Sequence, residues 1–551
     1  MNIFHEPWAT HKVTNQPPSL IGYNAFSRDA ALQASLPADL ASVLRDKLQD
    51  LGGAVGDEQW IDRGFKANEN PPVLNGFDRF GHRIDEVDFH PAYHQLMQLG
   101  MGLGIHSTAW THPVHGHVAR AAMQFLLTQL EPGVCCPLAM TNAAHPVLMQ
   151  FLSSDDIFRT RSIVDEYDQR FMPASAKRSI TIGMAMTEKQ GGSDVRVNST
   201  EARRLSERAD SVEYCLRGHK WFCSAPMSDG FLTLAQASGG ITCFLVPRFC
   251  EDGTRNRIFI QRLKNKLGNR SNASAEIEYL DTWARRLGEE GEGVTAIIEM
   301  VQNTRLDAAV APAGMMRQAL VQAIHHARHR KAFGKLLIEQ PLMRNVLTDL
   351  ALESEAATLL AMRIAKAVDD AMMNSAEKAF ARLATIIGKF WINKLAPQFI
   401  YEAMECHGGG GYIEESMLPR LYREAPVNSI WEGSGNVICL DLLRVIQRAP
   451  HCLETFNGVV KPVLGEKPVL RQRFDRLQQS LARCQQEPAL LRCCVENMAL
   501  LLQCSLLREF APESMFDLFV DSRLEQPGSR CYGTLADIRS AGEILDRAWA
   551  G

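Results

Sequence analysis

The sequence predicts a mainly α-helical chain with one β domain at its centre, and three observations carry that expectation. Apolar residues recur at three- and four-residue intervals over roughly the first 180 positions. They alternate singly from about 181 to 290, and the helical interval returns from about 291 onward. At 551 residues the chain is too long for one core, so several domains are expected.

Residues 1–180 read as an N-terminal helical domain with a loop-rich start. Asn68-Glu69-Asn70-Pro71-Pro72 interrupts it, because a residue before proline avoids the α region and proline lacks a donor. Residues 121–129 and 138–151 are its clearest helices, and the polar run 155–177 marks its edge. Within 181–290, residues 231–237 and 241–247 alternate on either side of Ser238-Gly239-Gly240, the pattern of two strands on a tight turn. Residues 212–216 and 275–279 alternate as well, so a small barrel or sandwich is expected. From 291 to 448, residues 310–329 and 342–367 carry long stripes of Ala, Leu and Met, and Phe333-Gly334 reads as the stop of the first. An antiparallel helical bundle follows from this. Ala449-Pro450 and Lys461-Pro462 then introduce an extra helical domain over 449–551, with helices at 470–484 and 489–510.

Composition narrows the function classes. A formal charge of −4 offers no strong attraction to nucleic acid or acidic membranes. Fourteen cysteines are scattered with no Cys-x-x-Cys, so no metal site is expected, and buried reduced thiols in a cytoplasmic protein are. Residues 1–8 lack the basic and apolar regions of a signal peptide, and no run of about 18 apolar residues predicts a membrane span.

Two segments carry chemistry. Met186-Thr187-Glu188-Lys189-Gln190-Gly191-Gly192-Ser193-Asp194 is a glycine-bearing polar turn after an apolar run, suited to bringing backbone N–H groups close to a flat or anionic ligand. Asn428-Ser429-Ile430-Trp431-Glu432-Gly433-Ser434-Gly435-Asn436 sets one carboxylate beside an aromatic and three small residues, as a proton acceptor at a pocket mouth would be. A solvated turn and a helix-capping surface Glu are the respective alternatives.

Taken in order with the elements between them, these segments closely resemble the flavin-dependent acyl-CoA dehydrogenase superfamily, whose turn motif Thr-Glu-x-x-x-Gly-Ser-Asp is matched in full. The resemblance implies an N-terminal α domain, a middle β-barrel and a C-terminal four-helix bundle, with FAD as cofactor. It implies that Met186, Thr187 and Gly192 meet the flavin and that Ser193 bonds its pyrophosphate. Gly218-His219-Lys220-Trp221-Phe222-Cys223-Ser224 resembles the next flavin strand, which puts Phe222 on the ring, Cys223 beside it and Ser224 near N5. Thr304-Arg305 and Trp431-Glu432-Gly433-Ser434 resemble the medium-chain arrangement, which implies Glu432 as base and Arg305 as a catalytic partner, with Trp431, Gly433, Ser434 and Asn436 beside the cofactor. Arg330, Phe333 and Gln340 match a signature that reaches a neighbouring subunit's FAD, and Gly409 and Gly410 match a second. A homotetramer is therefore implied.

Longer blocks, Lys266 to Ser274 and Leu418 to Asn436 above all, resemble the adaptive-response flavoproteins of the AidB type. This branch implies induction by alkylating agents, weak isovaleryl-CoA dehydrogenation, double-stranded DNA bound through the extra C-terminal domain, and protection of DNA or destruction of alkylators. Residues 449–551 nevertheless hold 12 basic and 13 acidic groups, which is no basic patch. Arg473, Arg476 and Arg483 fall on one helical face and, with Arg444 and Arg523, are the candidate DNA-binding residues. The alternatives are a housekeeping short- or branched-chain acyl-CoA dehydrogenase feeding an electron-transfer flavoprotein, and a structural DNA-binding protein with a vestigial cofactor. Whether CoA binds is open at this point.

Overall fold

The structure, a computed structural model, describes residues 10–207, 212–525 and 531–549. The leader-free start read at residues 1–8 lies outside them.

The chain runs helix, barrel, helix, with one addition. A hairpin of β1 (Val73–Phe77) and β2 (Arg83–Asp88) sits inside the stretch expected to be helical. It leans on the later barrel, where Arg83 donates to the carbonyl of Ile260. The first long helices of the functional core are α1 (Gly116–Leu130) and α2 (Cys135–Phe151). α1 is buried nearly all round, as a central core helix must be.

Seven strands follow: β3 (Ile182–Ala185), β4 (Glu201–Glu207), β5 (Val212–Ser224), β6 (Gly230–Ala237), β7 (Gly240–Pro247), β8 (Ile258–Leu263) and β9 (Ser274–Leu287). The β6–β7 hairpin forms as the alternation predicts, in register from Gly230 opposite Pro247 to Ala237 opposite Gly240. Pairings β6–β4, β4–β5, β5–β9, β9–β7 and β7–β6 close a ring, so the barrel alternative holds. Tyr214, Leu216, Cys223, Phe231, Phe244 and Tyr279 fill its inside.

Three long helices then pack on one another: α3 (Ile298–His329), α4 (Pro341–Asp370) and α5 (Ser375–Glu405). α6 (Gly435–Arg448) packs on α5 as the fourth. α1 lies against α3, where Gly314 lets the backbone of Phe125 approach. Phe333-Gly334 does not stop α3, which ends at His329. The pair instead turns the hairpin of β10 (Lys331–Ala332) and β11 (Lys335–Leu336), with φ of 51° and 80°. Two left-handed residues in a two-residue hairpin are the geometry that matches strand twist.

The region after 449 is not a separate core. α7 (Pro468–Arg483) and α8 (Leu491–Phe510) contribute Phe474, Leu477, Met498 and Leu502 to the apolar cluster that runs through α4 and α5. Trp391 of α5 donates its indole N–H to Gln503 at 3.0 Å. Residues 488–510 are long and apolar enough to cross a membrane, yet 67% of their most apolar 18 residues is buried inside the protein, as in a core helix.

Candidate active site

Glu432 stands in a short turn between Ala425–Ser429 and the start of α6. Its φ is 57° and that of Gly433 is 101°. A non-glycine residue in the left-handed region costs about 1 kcal/mol or more and persists only where its surroundings over-determine it. Here they do. The Thr304 hydroxyl donates to Glu432 Oε2 at 2.7 Å, and Arg305 Nε donates to the Glu432 carbonyl at 3.1 Å. Lys389 Nζ donates to the carbonyl of Gly433 at 2.7 Å. Trp431 Nε1 donates to Asn428 Oδ1 at 3.1 Å, and Asn436 accepts from Arg492 of α8 at 3.3 Å. Gly433 is half-buried and Ser434 exposed, at the open side of the turn.

Burial pushes the Glu432 carboxyl above the usual range, against the Thr304 hydrogen bond and the charges of Lys389 and Arg305. A carboxylate raised in this way is a better proton acceptor once ionised. Arg305, read in sequence as a catalytic partner, meets the backbone of Glu432 rather than its carboxylate. Its Nη1 donates to Asp441 at 2.8 Å, and Arg382 donates to the other oxygen of Asp441 at 2.7 Å.

The 186–194 turn leaves the end of β3. Met186 and Thr187 are half-buried, while Gly192 and Ser193 are exposed. A Cβ on Gly192 would collide with the Thr187 side chain, so glycine is required there. Glu188 is the turn's anchor. Fully buried, it accepts from Lys220 Nζ at 2.8 Å, from Ser199 N at 2.7 Å and from Ser199 Oγ at 2.9 Å. Burial opposes its charge, but Lys220 and these donors hold its pKa down to about 2. Thr187 O also accepts from Trp221 N at 2.8 Å, which ties the turn to β5. Lys220→Met should therefore cost about 3 kcal/mol by leaving Glu188 buried without its cation, and should weaken FAD retention. Chemical denaturation and the flavin content of the purified variant check both.

Next along β5, Phe222 is 49% exposed and Ser224 half-buried, with Ser224 Oγ 3.4 Å from Ser274 Oγ. Cys223 is corrected: its side chain lies wholly inside the barrel and offers nothing to a cofactor.

The third group sits apart. Phe333 is 99% exposed at its hairpin tip, and a Cβ on Gly409 or Gly410 would meet open space. Gln340 is spent on the hairpin, donating to Ala332 O at 3.0 Å, and Arg330 donates to Asn15 O at 2.6 Å. Among the described residues no hydrogen bond joins this group to Glu432 or to the 186–194 turn. An open polar turn and, on the strand tied to it, a half-exposed aromatic beside a hydroxyl fit a flat, anion-bearing cofactor such as FAD.

The arginines singled out for DNA divide. Arg444 and Arg476 are exposed, and Arg483 is exposed but paired with Glu487 at 2.7 Å. Arg473 is half-buried on Asn497 and the carbonyl of Leu524. Arg523 is corrected: it points inward onto Asp349 and Glu353 of α4, so it presents nothing to a nucleic acid.

Sequence reasoning passed over Glu188, Lys389 and Asp441. The available signal was a charge inside an otherwise apolar stretch, as with Lys389 in Ile386-Ile387-Gly388-Lys389-Phe390.

Family models match three stretches: the adaptive response protein AidB N-terminal domain over residues 15–169, the acyl-CoA dehydrogenase middle domain over 183–282, and the acyl-CoA dehydrogenase C-terminal domain over 291–447. AidB of Escherichia coli (strain K12), which carries an acyl-CoA dehydrogenase name, is 46% identical over 87% of this chain and 88% of its own. Acyl-CoA dehydrogenase family member 11 of Caenorhabditis elegans is 31% identical over 76% of this chain and 69% of its own. The crystal structure of C. elegans ACDH-11 in complex with C11-CoA matches with a TM-score of 0.83 at 27% identity, covering 94% of each chain. The chain belongs to the acyl-CoA dehydrogenase family, in its AidB-like branch, and is an FAD-dependent oxidoreductase of that type.

Proposed function

We propose that this protein oxidises an acyl-CoA thioester between its α and β carbons, with Glu432 as the base. The observation that carries this reading is the Glu432 carboxyl itself, fixed on a left-handed turn by Thr304 and raised in pKa by burial. Bound FAD supplies the hydride acceptor for the β-hydrogen. The residues of this chain do the rest. Glu432 takes the α-proton, Arg305 and Asp441 hold its backbone, and half-buried Ser224 on β5 would offer its hydroxyl to the cofactor. The product is the enoyl thioester, with the α-proton on Glu432 and two electrons on the cofactor. The C11-CoA bound to the C. elegans neighbour supports a CoA thioester as the substrate class. The exposed Phe333 and the open Gly409 and Gly410 support a homotetramer in which each subunit completes its neighbour's FAD site.

Anaerobic mixing with a panel of acyl-CoAs, isovaleryl-CoA among them, tests the reading. We expect the flavin absorbance to bleach with at least one thioester, slowly with the isovaleryl compound. A flavin that stays oxidised with every member overturns it.

A role in the adaptive response to alkylation, with double-stranded DNA as a partner in the cytoplasm, is the finer reading. The likeness to AidB and the adaptive-response family model over 15–169 favour it, and Arg444, Arg476 and Arg483 are the exposed cations that would meet phosphates. With so few contacts per subunit, affinity should be modest, indifferent to sequence and lost steeply with salt. Duplex titration at low and moderate salt decides: no binding at low salt removes the DNA half.

A further inference from the structure

We infer that Lys389 is a positioning residue for Glu432: its ammonium grips the backbone on both sides of the carboxylate and sets where that carboxylate points. The inference rests on the reading of Glu432 as base, and its test is chosen to separate the two.

Lys389 lies in the middle of α5, 2% exposed. Its Nζ donates to Gly433 O at 2.7 Å and to Asn428 O at 3.3 Å. Those two carbonyls bracket the turn, and Arg305 holds a third, that of Glu432 itself. Three carbonyls within six residues are thus aimed at two cations, which turns the backbone inside out at the residue with φ of 57°. A chain segment in that conformation needs such donors, because its carbonyls point into protein rather than to water or to a helix.

The two cations have different counter-charges. Arg305 is neutralised by Asp441, which Arg382 shares. Among the described residues Lys389 makes no such ion pair. The charged groups that act on it are Glu432 from the turn, Arg305 from α3 and Lys394 from its own helix, and of these only Glu432 is acidic. Burial lowers the Lys389 pKa to about 7 while Glu432 pulls it back up. The ammonium therefore acts on the base twice, through the backbone it anchors and through its field, which favours the ionised carboxylate.

The test compares wild type with Lys389→Met and Lys389→Gln, both loaded with FAD, with flavin content and melting temperature recorded for each. At saturating acyl-CoA, Lys389→Met should bleach about ten- to a hundredfold more slowly with little change in KM, since misplacing a reacting group by about an ångström costs that much. Its acid limb should move up by about one pH unit, because the cation that favoured the carboxylate is gone. Lys389→Gln keeps a donor without the charge, so it should recover much of the rate and keep the shifted limb. A second readout needs no substrate. The protonated-carboxyl infrared band of Glu432, assigned by its loss in Glu432→Gln, should titrate at higher pH in both lysine variants. If Lys389→Met retains FAD, bleaches at the wild-type rate and leaves that band unmoved, the inference is overturned. If instead Glu432→Gln bleaches like wild type, the base reading fails, while the band shift still decides whether Lys389 controls the carboxyl.

Discussion

Glu432→Gln should abolish rapid bleaching of the flavin by acyl-CoA, with a loss of about a thousandfold or more, while FAD stays bound. Removing a positioned general base typically costs 10²- to 10⁴-fold, and the glutamine amide has no basic lone pair to replace the carboxylate. The substitution is nearly isosteric. Its amide oxygen can still accept from Thr304 Oγ1, and the backbone bonds from Arg305 and Lys389 do not involve the side chain, so a folding defect is not expected. The pH dependence gives a second check with a defined sign. Burial raises the folded pKa of Glu432, so the bleaching rate of wild type should climb as pH rises through that value, and Thr304→Val should move the climb to higher pH by removing a hydrogen bond that favours the ionised form. Stability runs the other way. A carboxyl whose folded pKa lies above its unfolded one contributes fully below the unfolded value, and that contribution is lost as pH rises through the folded value. Glu432→Gln should therefore melt at a higher temperature than wild type at alkaline pH and draw level in acid. Measuring both curves separates a base held against its own preference from a carboxylate that merely caps α6. Unchanged bleaching would remove Glu432 from the chemistry.

Much of the fold was readable because its signals are local. The β6–β7 hairpin announced itself by alternation around Gly239-Gly240, and α3 and α4 by their stripes. The hairpin at 73–88 was missed because its strands are short and follow directly on Pro71-Pro72, where the break in the helix drew the reading. α5 was missed because it is buried on most sides and carries Lys389, Asn393 and Pro397 in its interior, so no single polar face repeats. In the site, the residues singled out at 186–194 and 428–436 fall in turns, as the runs of small and polar residues there led one to expect. What spacing cannot carry is a partner far off in the chain. Glu188 finds Lys220 at a separation of 32 residues, and Arg305 finds Asp441 at 136. Cys223 failed for a simpler reason: the register between β5 and β9 slips between Lys220 and Cys223, which shifts the strand's inside-outside alternation at that point.

Arg523 is where that limit has the largest energetic consequence. In sequence it is one more arginine in a near-neutral helical region, indistinguishable from Arg476. In the structure it joins the appended region to the bundle. Its Nη2 donates to Asp349 and its Nε to Glu353 at 3.2 Å, two buried carboxylates one turn apart on α4. Gly533 N adds a donor to the other oxygen of Asp349 at 2.8 Å. Burial pushes Glu353 up while Arg523 pulls it down, and the pair of acids holds Arg523 well above its ordinary pKa despite burial. Arg523→Ala leaves both acids in an apolar interior with no counter-ion. Breaking a buried pair from one side costs about 3–5 kcal/mol, and with two carboxylates stranded the upper end is expected. Denaturant titration at neutral pH should show that loss, and Arg476→Ala, on the exposed face, should show close to none. Acid distinguishes the mechanism. As pH falls, the stranded Glu353, already raised by burial, protonates and ceases to be charged, so the gap between Arg523→Ala and wild type should narrow below neutrality. An Arg523→Ala protein as stable as wild type but defective on duplex DNA would instead put this side chain on the surface. It would restore Arg523 to the set of phosphate contacts from which its two carboxylate partners remove it.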